Sequence, residues 1–234
     1  DIASFKGFTL RQYANLFRDG TLLTLLRNSV IIALLATLIS TIVGTMAAVG
    51  IHGMKGRLRS AVMTMTNIPM TNPDIVTGVA LALLFAFAGT VLKTNSVLGF
   101  WTLLIAHITF NLPYVILNVM PKLQQMDKDL VEAALDLGCT PAQVFSKVIL
   151  PLSGPGILSG ITMVFVPAVS TFVISRMLGG GSNLLIGDLI EMQFLGNSYN
   201  LNVGSAMSLV LMIIVLLCMS FTSSFDEDEM EGVS

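Results

Sequence analysis

From Asn28 to Gly50 the chain carries no charged residue. That run is too long for a buried core strand, and as a helix rising about 1.5 Å per residue it reaches across the roughly 30 Å of a bilayer's hydrocarbon. Small residues recur on it every four positions, at Ala36, Ser40, Gly44 and Ala48, with Ala33, Thr37, Thr41 and Thr45 beside them. Such a stripe lets a neighbouring helix approach closely in lipid, where packing rather than hydrophobic exclusion holds helices together. The expectation is an interior, packed span.

Four more apolar blocks follow, predicted as spans over about 61–88, 101–120, 156–174 and 204–221. Composition agrees: 54% of residues are hydrophobic and 11% charged, against roughly 25% charged in soluble domains. Pro69 and Pro73 fall in the first half of the second block, where freed backbone carbonyls are tolerated if they face protein or a watery path. Gly156-x-x-x-Gly160 opens the fourth and marks a close helix contact. The fold class expected is all-α integral membrane, a multi-span helical bundle with about five spans.

The connecting segments set the organisation. Residues 1–27 mix Lys6, Arg11, Arg18 and Asp19 with Phe5, Phe8, Tyr13 and Phe17, which suits an extracytoplasmic, interfacial segment. His52 to Arg59 holds Lys55, Arg57 and Arg59 without an acid, so this turn is expected on the cytoplasmic side. That places the long polar insertion 121–155 inside as well. The membrane domain then covers 28–223, with a polar loop at 89–99 and a short re-entrant or surface helix over 184–194 after the glycines 179–181. Residues 224–234, with the acidic run Asp226 to Glu231, read as a solvated cytoplasmic tail. Residue 1 is aspartate and no cleavable signal precedes the first block, so a truncated or processed start is expected.

The insertion reads as two short helices around a sharp turn. Asp129 and Glu132 make a capping-box-like start, Gly138 supplies a left-handed stop, and Thr140 caps a second helix with Pro141 at its first position and Gln143 completing the box. Pro151 is expected to end that helix at Leu150. Leu130, Ala134 and Leu137 line one helix face, and Val144, Phe145, Val148 and Ile149 the other. Helices this short are marginal alone in water; they need a partner surface, either the rest of the chain or another protein.

Glu132, Ala133, Ala134, then Gly138, then Val148, Leu150 and Pro151 after nine residues resemble the EAA loop of ABC importer permeases, whose pattern is E-A-A, three residues, G, nine residues, I-x-L-P. Val148 stands where isoleucine is usual. Pro73 to Gly78 and Leu178 to Phe194 are similar to permeases of the spermidine/putrescine type. The resemblance implies a MetI-like type I importer permease of the cell inner membrane, multi-pass, with one further span expected before Asp1. It also implies that the loop seats in ABC ATPase subunits, that a second permease subunit, homologous or identical, completes the translocation path, and that an extracytoplasmic substrate-binding protein delivers cargo. An acidic tail departs from the family's usual basic one.

Span three places His107, Asn111, Tyr114 and Asn118 on one helical face. They either line a path or hydrogen-bond neighbouring helices. Asp74, Asp188 and Glu191 are the acids in or beside the later spans; they suit a polycationic cargo such as a polyamine, or cap helices, with Arg176 able to neutralise one. No P-loop, G-x-S-x-G or H-E-x-x-H pattern occurs. No catalytic residue, metal site or cofactor is therefore expected, ATP being bound by the partner. Cys139 and Cys218 have no C-x-x-C spacing or nearby histidine, and no basic patch suggests nucleic acid. An ion-coupled secondary transporter and a non-transporting scaffold are the rival readings. Membrane lipid is a partner in all three.

Overall fold

The computed structural model describes residues 11–18, 20–93, 97–181, 183–196 and 200–231, and among them all regular structure is helical. The first ten residues of the interfacial segment and Asp19, residues 94–96 of the 89–99 loop, Ser182, residues 197–199 and the last three residues of the tail lie outside that description. Helix α1 covers Arg11–Arg18, α2 Gly20–Gly53, α3 Gly56–Thr71, α4 Asp74–Leu92 and α5 Phe100–Gln125. The insertion contributes α6 (Lys128–Asp136), α7 (Pro141–Val144), a π-helical turn (Phe145–Ile149) and α8 (Leu150–Leu152). Then come α9 (Gly154–Ser170), α10 (Val173–Leu178), α11 (Ile186–Leu195) and α12 (Leu201–Glu231).

Four of these are long and apolar enough to cross a membrane: Leu22–Gly53, Asp74–Leu92, Phe100–Gln125 and Leu201–Ser220. By the same measure of length and composition, Pro141–Leu152 and Gly154–Ser170, which meet at a bend of 67°, count as a fifth crossing when the pair is taken as one broken span.

Helix α2 is the centre of the bundle, packed on α5 and α9. Its two faces invert the pattern of a soluble helix. Ala36, Ser40, Gly44 and Ala48 are buried, while Leu34, Leu38, Ile42 and Met46, two positions away, are exposed. Lipid solvates the large side chains and the small ones permit contact. Gly44 is the tightest point: a β-carbon there would lie 2.7 Å from Val115. Ile32 clusters with Leu103 and Ala106, and Ala48 and Ile51 with Val115, Val119 and Met120, so α2 and α5 run parallel. Gly156 and Gly160 bring α9 onto the same helix; a β-carbon at Gly156 would come within 2.8 Å of the Asn118 carbonyl oxygen.

Several predicted boundaries move. The first span starts before Asn28, because nothing from Gly20 onward breaks the helix and a lone arginine, Arg27, can extend its head toward water. The second block is two helices rather than one. Asn72, preceding Pro73, is extended at ψ 142°, as the proline ring's clash with a helical predecessor requires; Pro69 stays inside α3. The crossing is therefore Asp74–Leu92. Helix α5 carries Pro121 within it and continues to Gln125, anchored by the buried Leu123, so the insertion begins later than Pro121. Thr171 and Phe172 interrupt the fourth block before Ile174, leaving α9 and α10 as separate helices. Helix α12 runs on through the acidic residues as helix.

Candidate functional site

The insertion is built by local rules. Its first helix starts two residues before the expected position: Asp127 is extended, and its Oδ1 accepts the Asp129 N–H at 3.0 Å. Asp129 sits instead in the first turn, where its charge suits the helix N-terminus. Gly138 has φ +84°, the left-handed region. The Cys139 N–H donates to the Ala134 carbonyl at 3.1 Å and the Gly138 N–H to that of Leu135 at 2.9 Å. This paired closure is the Schellman ending that glycine permits. Thr140 then caps α7 reciprocally: the Gln143 N–H donates to Thr140 Oγ1, and the Thr140 N–H donates to Gln143 Oε1 at 2.8 Å.

Pro151 does not end the second helix. The Leu150 N–H reaches back five residues to the Phe145 carbonyl, and this wider turn carries the chain through Pro151 to Leu152. A π turn shifts the hydrogen-bond register locally, so a residue lacking an N–H is accommodated. Ser153 follows, almost wholly buried, with its hydroxyl donating to the Ile149 carbonyl at 2.7 Å. There the chain bends into α9.

Glu132 and Ala133 are exposed and α6 buries none of its residues. Leu130, Leu135, Leu137, Leu150 and Leu152 are exposed too, Leu137 at 85%. Val144 is buried beneath, with Val148 half-buried. The loop thus holds its shape through caps and a small buried core while presenting leucines outward.

A second constellation lies deeper. A cavity of about 260 Å³ is lined by Asp74, His107, Asn111 and Tyr114, together with Ser170, Thr171 and Phe172 at the break between α9 and α10. The His107 Nδ1 lies 2.8 Å from the Leu103 carbonyl oxygen. A carbonyl only accepts, so Nδ1 carries a proton, and in the tautomer with that single proton Nε2 presents a lone pair. That Nε2 and the Asn111 side-chain nitrogen are buried and, among the described residues, have no hydrogen-bond partner. The lining thus carries the Asp74 carboxylate and the Tyr114 hydroxyl as acceptors and the Asn111 amide nitrogen as a donor, set in a wall that includes Phe110, Met163, Pro167, Ala168, Val173 and Ile174.

The remaining path candidates sit elsewhere. Asn118 binds within and between helices: its amide donates to the Tyr114 carbonyl at 2.8 Å and its Oδ1 accepts from Ser159 at 3.2 Å. Asp188 is fully buried at the start of α11, accepting from the Leu185 N–H at 2.9 Å and from the Ser175 hydroxyl. Glu191 pairs with Arg176. Sequence reasoning missed the contribution of Ser170 to Phe172, and missed Ser29, whose hydroxyl accepts the Ile186 N–H at 2.8 Å and ties α2 to α11. The one available signal was the β-branched and aromatic run Thr171 to Ile174 after Pro167, a poor helix former.

Residues 40–226, which include the loop and the cavity, match the family of binding-protein-dependent transport system inner membrane components. The chain belongs to that family. It is accordingly a multi-pass inner-membrane permease of an ABC import system. Among relatives of this permease, it is 38% identical to the spermidine/putrescine transport system permease protein PotC of Haemophilus influenzae, over 76% of this chain and 67% of the relative. It is 31% identical to PotC of Escherichia coli K12, over 92% and 79%, and 33% identical to the E. coli K12 putrescine permease PotI, over 76% and 64%.

Two solved structures share the permease's fold. An inward-facing MetNI methionine ABC transporter superposes with TM-score 0.66 at 21% identity, over 90% of this chain and 98% of that one. A bacterial importer of the acidic polysaccharide alginate superposes with TM-score 0.78 at 13% identity, over 95% and 85%. The MetI-like expectation for the fold therefore holds.

Proposed function

We propose that this permease carries a polyamine of the spermidine/putrescine class, driven by ABC ATPase subunits that grip the loop from Glu132 to Pro151. The observation that carries the cargo assignment is the cavity whose lining includes Asp74, His107 and Tyr114 beside a broken helix. A polyamine's ammonium groups need carboxylate and lone-pair partners to offset the loss of water. The names of the PotC relatives agree with this class.

The outward leucines on α6 and α8 support the docking role, since apolar side chains on a capped, water-facing loop are best accounted for by a partner that covers them. Nucleotide is bound by that partner, and this chain performs no covalent chemistry. A second permease subunit supplies the other half of the path and an extracytoplasmic binding protein delivers the cargo.

The test is uptake of labelled spermidine and putrescine into vesicles holding the assembled importer, with thiamine, iron and small anions as competitors. Polyamine uptake should require ATP and vanish in Gly138→Asp. Uptake that persists after ATP depletion would establish the ion-coupled alternative. Preference for an anion would overturn the assignment of Asp74.

A further inference from the structure

From Ile32 to Ala48, helices α2 and α5 keep a single register. Ile32 shares a buried cluster with Leu103, a β-carbon on Gly44 would touch Val115, and Ala48 shares a second cluster with Val115 and Val119. On both helices these positions belong to a row that recurs every four residues, so one ridge lies along another. The positions bracketed between the fixed points follow from the parallel course of the two helices. Ala36 stands opposite His107, and Ser40 opposite Asn111. All four are buried, Ser40 completely.

The seam is apolar at both ends and polar in the middle. Ser40 is the one hydroxyl in the α2 row, and it meets the one polar stretch of the α5 row. Three enclosed atoms there have no hydrogen-bond partner among the described residues: Ser40 Oγ, His107 Nε2 and Asn111 Nδ2. The hydroxyl of Thr37, three residues before Ser40 and so its neighbour on the helix surface, is enclosed and without a partner too.

Buried polar groups in folded proteins are paired with protein or with ordered water. The three atoms are complementary in role: the Asn111 amide donates, Nε2 of the neutral His107 ring accepts, and the Ser40 hydroxyl does either. One water molecule serves all three by accepting from Asn111 and donating to His107 and to Ser40, and about three bonds is the usual complement of a buried water. His107 and Asn111 also line the cavity, which gives water a way in. A cation would face the amide hydrogens of Asn111, and an apolar contact would leave every one of these groups unpaired.

We propose that Ser40, His107 and Asn111 hold one ordered water molecule between α2 and α5, and that Ser40 is thereby a positioning residue for the cavity wall. Ser40 does not itself line the cavity; it acts through the water on two side chains that do. This role in transport rests on the reading of the cavity as the cargo site, whereas the water site does not.

The test is a structure of the assembled importer at a resolution that shows ordered water, together with uptake kinetics in vesicles. A density peak within about 3.2 Å of Ser40 Oγ, Asn111 Nδ2 and His107 Nε2 is expected, lost or displaced in Ser40→Ala. A dry seam, or a direct bond between Ser40 and Asn111, overturns the proposal. Ser40→Ala should raise the KM for spermidine about fivefold, as loss of one hydrogen bond would, with the maximal rate unchanged. Thr41→Ala removes another buried hydroxyl from α2, turned about 100° away, and should leave both parameters in place. Equal effects of the two substitutions, or a fall in maximal rate alone, would overturn the positioning role. Failure of the unaltered importer to take up spermidine would refute the cargo reading instead, and the density peak then decides the water site on its own.

Discussion

The backbone of Gly187 is pressed against the carbonyl oxygen of Thr171: a β-carbon built on it would lie 2.4 Å away, and 2.6 Å from the Ser170 carbonyl oxygen. The first turn of α11 thereby covers the backbone where α9 breaks. Interrupted helix in a membrane persists where protein or a cavity shields its polar groups, and here protein lies on one side and the cavity on the other.

Gly187→Ala should therefore be disruptive although alanine is the better helix former. Both opposing atoms are backbone and cannot swing aside, so overpacking should destabilise the chain by about 1–3 kcal/mol. Thermal unfolding in detergent measures this. Gly20→Ala, with open space around it, is the control and should leave the midpoint in place.

Gly44→Ala should be similarly costly, by about 1–3 kcal/mol, because its new methyl meets the Val115 side chain. Here the neighbour can be trimmed. Val115→Ala in the same chain should recover a large part of the loss, and a double-mutant cycle showing no coupling would mean that α2 and α5 do not meet at this point.

At Gly138 the surroundings are open and only the backbone angle matters. Alanine there should cost about 1 kcal/mol locally, with little effect on global unfolding. The expected readout is weaker co-purification of the ATPase. Thr140→Ala, which removes the reciprocal cap, should act in the same direction at about 1 kcal/mol.

Asp74→Asn separates cargo binding from folding. The carboxylate is exposed at the start of α4, where its interaction with the helix end contributes about 0.3–1 kcal/mol. Polyamine uptake should fall at least about tenfold, equivalent to about 1.4 kcal/mol, while the unfolding midpoint barely moves. Unchanged uptake at limiting cargo would remove Asp74 from the path.

The two-helix insertion was legible because its determinants are local: Gly138, Thr140, Pro141 and Gln143 act within a few residues of themselves. The prolines were less so. Pro73 breaks a helix, Pro69 and Pro121 do not, and Pro151 is absorbed by a π turn; the outcome depends on whether the freed carbonyl finds another partner. The polar stripe on α5 was correctly on one face, yet His107 and Asn118 are about 16 Å apart along the helix, and the cavity reaches only the part from His107 to Tyr114. Asp188 shares no local signal that distinguishes a helix cap from a path residue. Its partners, Ser175 and the Leu185 backbone, are brought to it by the turn at Gly179 to Gly181.

The bend at Ser153 has a mechanical consequence. With the loop helix set at 67° to α9 and the joint held by a buried hydroxyl, a force along the loop acts mostly across α9, as a torque. Helix α9, of 17 residues, is a lever arm of about 25 Å, so a tilt of about 5° at the elbow sweeps its far end by about 2 Å. That far end is Ser170, at the wall of the cavity.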